Sequence, residues 1–584
     1  MAPAFAIPVA GPVRSVARTA TASAAACASV GGGAFVSAPA AAAAARAGGR
    51  RHAAWPRPPL AAPRRGSSSP TVAGGSTAPP PGTPYQLVVM ATGDPASTYD
   101  YDVVVVGGGV GGHAAALHAV SKGQRTAIFT ADDLGGTCVN RGCVPSKALL
   151  AASGRVRDLR NAHHLAALGL SVGDVSYDRE AVAGHASGLA SRVRENMGKS
   201  LAAAGVSVLT AKASLSGPNT ITGSDGKTVT AGAIILAPGS VPFVPRGIEV
   251  DDKTVFTSDG ALRLETVPEW VAIIGSGYIG LEFSDVYTAL GSNVTFVEAM
   301  PEIMPGFDPE IARVAKRLLV TPRAIDFHTN VFATKVTPGE PGVTPVRIEL
   351  TNAKTKEIQD VLEVDAVLVA TGRVPFTDGL GLDGLGVELA RGFVPVDDRM
   401  RVLTKAEGGS PIGSVYCVGD ANGKMMLAHA ASAQGVAAVE HALKGDAAHV
   451  VNHNAVPAAC FTHPEIAYVG LSEPAAKEAA AEGGFELGKS LGHFRANSKA
   501  LAEAEGDGMA KVLFNKGTGE ILGVHIIGLH AADLIQECSN AVSQGTTVEE
   551  LALRCVHTHP TLSEVIDEAM KGANLCALCM HPRA

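Results

Sequence analysis

A short β-branched run leading into a glycine turn and then a helix occurs twice in this chain, and it limits the possible folds more than any other feature. The run Asp102 to Val106 suits a strand buried in a parallel sheet, and Gly107, Gly109 and Gly112 follow it in GxGxxG spacing ahead of an Ala-rich helix. The pattern returns with a strand over Val271 to Ile274, then Gly275, Gly277 and Gly280, then a helix predicted over Tyr278 to Leu290. Glycine turns are common by themselves. Placed between a strand and a helix, they let backbone N–H groups approach a pyrophosphate at the helix N-terminus. Two such units imply two dinucleotides on an α/β chain with two Rossmann-like domains.

The residue after each unit's second strand indicates which dinucleotide it holds. In the second unit the strand Asn293 to Val297 ends in Glu298, where a carboxylate accepts hydrogen bonds from an adenosine ribose. A 2′-phosphate would be repelled there, and no arginine sits at the strand end to offset the charge, so NAD is expected rather than NADP. In the first unit the strand Thr126 to Phe129 ends in Thr130, with Asp132 and Asp133 after it. A hydroxyl is a weaker ribose partner than a carboxylate, which leaves Asp132 as a substitute for Thr130.

Charge divides the chain. All eight charged residues before Asp94 are arginines, from Arg14 to Arg65, in a segment rich in Ala, Ser and Pro. That composition reads as an organelle transit peptide and linker over residues 1–95, and it lacks the Leu, Ile and Val density of a signal-peptide core. The formal net charge is −7, so the remainder carries about −15, which argues against nucleic acid as a partner. No later stretch is apolar enough to predict a membrane span. Nine scattered cysteines do not form the pattern of a small secreted disulfide scaffold.

Two of those cysteines carry the chemistry. Gly135-Gly136-Thr137-Cys138-Val139-Asn140-Arg141-Gly142-Cys143-Val144-Pro145-Ser146-Lys147 has a CxxxxC spacing that is unusual for metals and suits a redox disulfide. If the segment opens one helix, the cysteines lie about a turn and a half apart and bridge only once the first turn is distorted. The helix N-terminus also favours the thiolate. The competing reading is a pair of inert buried thiols.

This motif directly after a GxGxxG unit resembles the flavoprotein disulfide reductases, the pyridine nucleotide-disulfide reductase family. The resemblance implies FAD on the first unit and NAD on the second, with a C-terminal α+β dimerisation domain. It implies that Cys138 exchanges with substrate while Cys143 lies against the flavin as a charge-transfer thiolate. Lys147 would sit near flavin N5, paired with Glu282 of Gly-Tyr-Ile-Gly-Leu-Glu. Further matches are Ala370-Thr371-Gly372-Arg373-Val374-Pro375 and Val415-Tyr416-Cys417-Val418-Gly419-Asp420, where Asp420 would hold the ribityl chain and Met426, Leu427 and Ala428 would meet the pyrimidine edge. Ala237-Pro238-Gly239-Ser240 has proline where the family usually has threonine, which puts local hydrogen bonding beside Gly239 in question.

Near the C-terminus, His557-Thr558-His559-Pro560-Thr561-Leu562-Ser563-Glu564 offers an imidazole and a carboxylate five residues apart. Dithiol oxidation needs a base at neutral pH, and an oriented histidine supplies one. The resemblance assigns His559 as that base and Glu564 as its partner, acting on the other subunit's cysteines in a homodimer. Within the family, Met304 to Glu310, Ile325 to Thr329 and Arg141 resemble the plastid dihydrolipoyl dehydrogenases. That implies lipoyl domains of a 2-oxoacid (pyruvate) dehydrogenase acyltransferase as partners and a chloroplast stroma location, with the mitochondrion as the alternative. Glutathione- or mercuric-reductase-like enzymes and a non-catalytic scaffold are the competing functions, and Cys576/Cys579 raise a third redox relay. The expected domains are FAD-binding over 101–250 and again over 379–450, NAD-binding over 251–378, and an interface domain over 451–584.

Overall fold

The computed structural model describes residues 98–578 apart from Leu264 and Ala324. The segment read as a transit peptide lies outside the described residues, as do Cys579 and the side chain of Cys576.

The first glycine unit forms as expected, with the strand Tyr101–Val106 feeding the helix Val110–Ser121. That strand lies between Thr126–Phe129 and Thr228–Leu236, parallel to both. Pro411–Cys417 then pairs parallel with Thr228–Leu236, so the chain returns to the first sheet after leaving it for a second domain. The returning helix Ala428–Lys444 packs on Val110–Ser121 through small residues. A Cβ on Gly435 would lie 2.6 Å from the Gly111 carbonyl oxygen, a distance only glycine permits.

The second unit is a five-stranded parallel sheet in the order Ile325–His328, Asn293–Val297, Trp270–Ile274, Ala366–Val369, Val255–Thr257. Its helix spans Tyr278–Leu290, the range expected from sequence. Residues from Ala458 onward build a five-stranded antiparallel sheet, with the helices Ala531–Gln544 and Glu564–Leu578 against it. Among the described residues, no helix is long and apolar enough to cross a membrane.

A buried charge cluster joins the last two sheets. The Lys511 side chain is fully buried on the strand Met509–Asn515, with Nζ 2.8 Å from Asp308 and 2.6 Å from Glu473. Asp308 also caps the helix Pro309–Ala315 by accepting from the Glu310 and Ile311 N–H groups. The Met304 to Glu310 stretch that stood out in sequence therefore works as an interdomain joint. A lone buried ammonium would be costly, and carboxylates on both sides make it tolerable.

Candidate active site

The cysteine segment departs from the single helix considered above. Gly136–Arg141 and Cys143–Arg160 are separate helices broken at Gly142, whose φ of −149° and ψ of −115° are not helical. A Cβ on Gly142 would crowd the Thr137 carbonyl oxygen at 2.9 Å. The break places Cys143 at the first position of an 18-residue helix and leaves Cys138 on the preceding turn. Both thiols are free.

Their environments differ in sign. A hydrogen bond from Cys138 lowers the Cys143 thiol, which ionises at about 7 with further help from the Lys147 charge and against the effect of burial. The Cys138 thiol is pushed up, first by that same hydrogen bond and then by burial and the Cys143 charge. One thiolate shared by the pair therefore resides on Cys143.

Lys147 lies one turn along from Cys143, and its Nζ is 2.9 and 3.0 Å from the two carboxylate oxygens of Glu282 on Tyr278–Leu290. Glu282 also accepts from the Phe461 N–H at 3.1 Å. Arg373 approaches the cysteine segment from another side, donating to Ser240 Oγ and the Ser240 carbonyl at 2.8 Å and to Thr137 Oγ1 at 3.3 Å. Ser240 in turn donates to Asp420. Proline at 238 does not loosen this turn, because Phe376 N–H closes on the Gly239 carbonyl at 3.0 Å. Gly239 and Gly372, with φ of 76° and 109°, flank the junction.

Both glycine motifs fit a bound dinucleotide by a test internal to the protein. A Cβ on Gly112 would meet the Gly107 carbonyl oxygen at 2.0 Å, and one on Gly280 would meet that of Gly275 at 2.2 Å, so close packing of the turn requires these glycines. A Cβ on Gly109 would meet only Gly136 Cα at 3.8 Å, and one on Gly277 would meet nothing within 4 Å. Protein packing does not demand the middle glycines, whereas close approach of a phosphate does. Gly109 and Gly277 also cap helices that have no side-chain cap, which leaves N–H donors for an anion. The helix Ala428–Lys444, preceded by Met426 and Leu427, likewise begins without a side-chain cap.

Glu298 is buried at the end of Asn293–Val297, its carboxylate turned onto the second glycine turn. Ser276 donates to Glu298 Oε2 from its N–H at 3.0 Å and its hydroxyl at 2.7 Å, while Met300 N–H reaches Oε1 at 2.9 Å. In the first unit, Thr130 is buried against Gly108 and Asp132 is exposed at φ 59°. Asp133 is taken up by Asn140 and Arg141.

His559 and Glu564 come together with Nδ1 2.9 Å from Oε1, and Thr561 N–H donates to Oε2 at 3.0 Å. The Thr561 N–H first, and then His559, hold the Glu564 carboxyl below its usual range. Because an ionised Glu564 can only accept, Nδ1 carries the proton and Nε2 presents a lone pair. His559 borders a pocket of about 480 Å³ whose lining, including Asn497, Ser498, Asp567 and Lys571, contains no residue of the cysteine segment.

Sequence reasoning missed Ser276, Ser240 and Phe461 and gave Arg373 no contacts of its own. Ser276 and Arg373 lie inside motifs that were already visible. Phe461 carried no local signal, since its partners Glu282 and Lys147 lie far away in sequence.

Residues 101–435 match the pyridine nucleotide-disulphide oxidoreductase family, and residues 456–570 match its dimerisation domain. A chloroplastic dihydrolipoyl dehydrogenase 2 of Arabidopsis thaliana is 59% identical, over 83% of this chain and 84% of its own. A dihydrolipoyl dehydrogenase of Synechocystis is 56% identical over 81% of this chain and 99% of its own. Among solved structures, LpdA from Mycobacterium tuberculosis aligns with a TM-score of 0.70 and 29% identity, over 80% of this chain and 99% of its own.

Proposed function

The chain belongs to the pyridine nucleotide-disulphide oxidoreductases, and on that premise we propose that it is a dihydrolipoyl dehydrogenase that oxidises protein-bound dihydrolipoamide and reduces NAD. The observation that carries the reading is the placement of the cysteine pair, with Cys143 opening the helix that carries Lys147 one turn on and Cys138 on the separate turn before the Gly142 break. In the oxidised enzyme a substrate thiolate attacks the Cys138 sulfur of the Cys138–Cys143 disulfide, and Cys143 leaves as the thiolate because it is the more acidic thiol. The second substrate thiol then displaces Cys138, so one disulfide is reduced as lipoamide forms. His559 of the partner subunit accepts the substrate proton at Nε2, with Glu564 holding the ring. FAD, when bound, supplies the two-electron transfer by which the dithiol is reoxidised at the expense of NAD.

Gly107, Gly109 and Gly112, with Thr130 at the strand end, hold the FAD pyrophosphate and ribose. Gly239, Gly372, Asp420 and the helix start at Met426 to Ala428 orient the rest of the cofactor. Gly275, Gly277, Gly280 and Glu298 hold NAD. Ser276 fixes the Glu298 carboxylate, so Ser276→Ala is expected to raise the KM for NAD roughly tenfold with a smaller change in kcat, measured from initial rates against NAD concentration.

The dimerisation domain makes the enzyme a homodimer. Lipoyl domains of an acyltransferase in a plastid 2-oxoacid dehydrogenase complex are its electron donors, a reading supported by the chloroplastic and cyanobacterial relatives. Steady-state assay with dihydrolipoamide, glutathione and mercuric ion tests the substrate. NADH formation from dihydrolipoamide supports the proposal, whereas turnover only with NADPH and glutathione disulfide or mercuric ion overturns it.

A further inference from the structure

The bond between Lys147 and Glu282 does not by itself explain why the ammonium stays beside Cys143. The Lys147 side chain is 35% exposed, and an ion pair in so wet a place holds a four-carbon chain only weakly. A third residue closes the arrangement. The Phe461 ring centroid lies 4.5 Å from Lys147 Nζ, and the Phe461 N–H donates to Glu282 Oε1 at 3.1 Å. One residue of the interface domain thus touches both members of a pair whose halves come from the other two domains.

Phe461 is itself held in place. It follows the strand Ala458–Cys460, and the His463 carbonyl two residues on accepts a hydrogen bond from Arg323. Arg323 also pairs with Asp285, which lies one turn beyond Glu282 on the same helix. Arg157 reaches Asp285 at 2.7 Å from the helix that carries Lys147. The buried Asp285 therefore fixes the register of the three elements that bring Lys147, Glu282 and Phe461 together.

We propose that Phe461 is a positioning residue that confines the Lys147 ammonium beside Cys143, its ring covering one side of the cation while its N–H anchors Glu282. The inference rests on the reading that Cys143 works as a thiolate. The charged and titratable groups around that thiol are Cys138, Lys147, Glu282 and Arg373. Cys460, which feels the Glu282 and Lys147 charges, stays neutral because burial raises its thiol far up. With the ring removed, Lys147 gains water and rotamers, and its average field at Cys143 weakens.

The test is a pH titration of thiolate–flavin charge-transfer absorbance in the flavin-loaded dimer carrying Cys138→Ser, where only one of the pair can ionise. Adding Phe461→Leu is expected to move the midpoint up by about half a pH unit, while Phe461→Tyr restores the parent value. Phe461→Met, which keeps bulk without a ring face, should shift like leucine and serves if the leucine variant fails to fold. A lost packing contact alone would lower the melting temperature without moving the midpoint. If neither ring-free variant shifts it while Lys147→Met does, the inference fails and the thiolate reading stands. If the parent shows no charge-transfer band at any pH, both fail.

Discussion

Replacing His559 with glutamine is expected to lower dihydrolipoamide oxidation by about two to four orders of magnitude, the range that a positioned general base contributes. Glutamine keeps the size and can still bond Glu564, so the loss reflects the missing lone pair at Nε2 rather than a collapsed pocket. Without a base the substrate thiol must ionise unaided, so the residual rate should climb about tenfold per pH unit below the thiol's own pKa. Glu564→Gln is expected to be severe as well, because an amide whose oxygen keeps the Thr561 N–H turns its NH2 onto Nδ1, which moves the ring proton to Nε2, and it removes the charge that stabilises the imidazolium. Initial rates from pH 6 to 9 with a soluble dihydrolipoamide check both variants. A His559→Gln enzyme within about threefold of the parent would remove His559 from the mechanism.

Cys138→Ser should abolish lipoamide turnover, by more than about a thousandfold, because no exchangeable disulfide remains. NADH oxidation by an artificial acceptor should persist, since none of the residues assigned to either dinucleotide is touched. The variant also isolates Cys143. Its thiol is held down, so the thiolate fraction grows as pH rises and is lost as pH falls, and a long-wavelength band should follow that course. A serine hydroxyl preserves a donor where Cys138 had one, so the leading cause of the lowered value survives in part. A band that strengthens as pH falls would contradict the assignment of Cys143 as the flavin-facing thiolate.

Much of this was legible in the sequence because it is local. Strand, turn and helix are contiguous in both glycine units, so Tyr278–Leu290 and Asn293–Val297 could be bounded to the residue. The CxxxxC spacing and the five-residue step from His559 to Glu564 are likewise short-range patterns. The break at Gly142 was harder, because it depends on how Gly142 meets the Thr137 carbonyl, and spacing alone permits one distorted helix. The partners of Glu298 were hidden for a related reason. A carboxylate at a strand end is expected to face a ligand, yet the Ser276 hydroxyl inside the turn already binds one of its oxygens. Contacts between domains left little trace in local pattern, and the Lys147–Glu282 pair was expected only through the family resemblance. Lys511 reads as a charge in an otherwise apolar strand until Asp308 and Glu473 are brought to it, and Phe461 reads as one more apolar residue.

The central claim is that electrons pass from a lipoyl dithiol to NAD through Cys138 and Cys143. Anaerobic addition of dihydrolipoamide to the flavin-loaded enzyme, followed by NAD or NADP, tests it in one cuvette. The expected result is a long-wavelength charge-transfer band that NAD discharges and NADP does not, because Glu298 opposes a 2′-phosphate. No band with dihydrolipoamide, or discharge by NADP alone, would contradict the account.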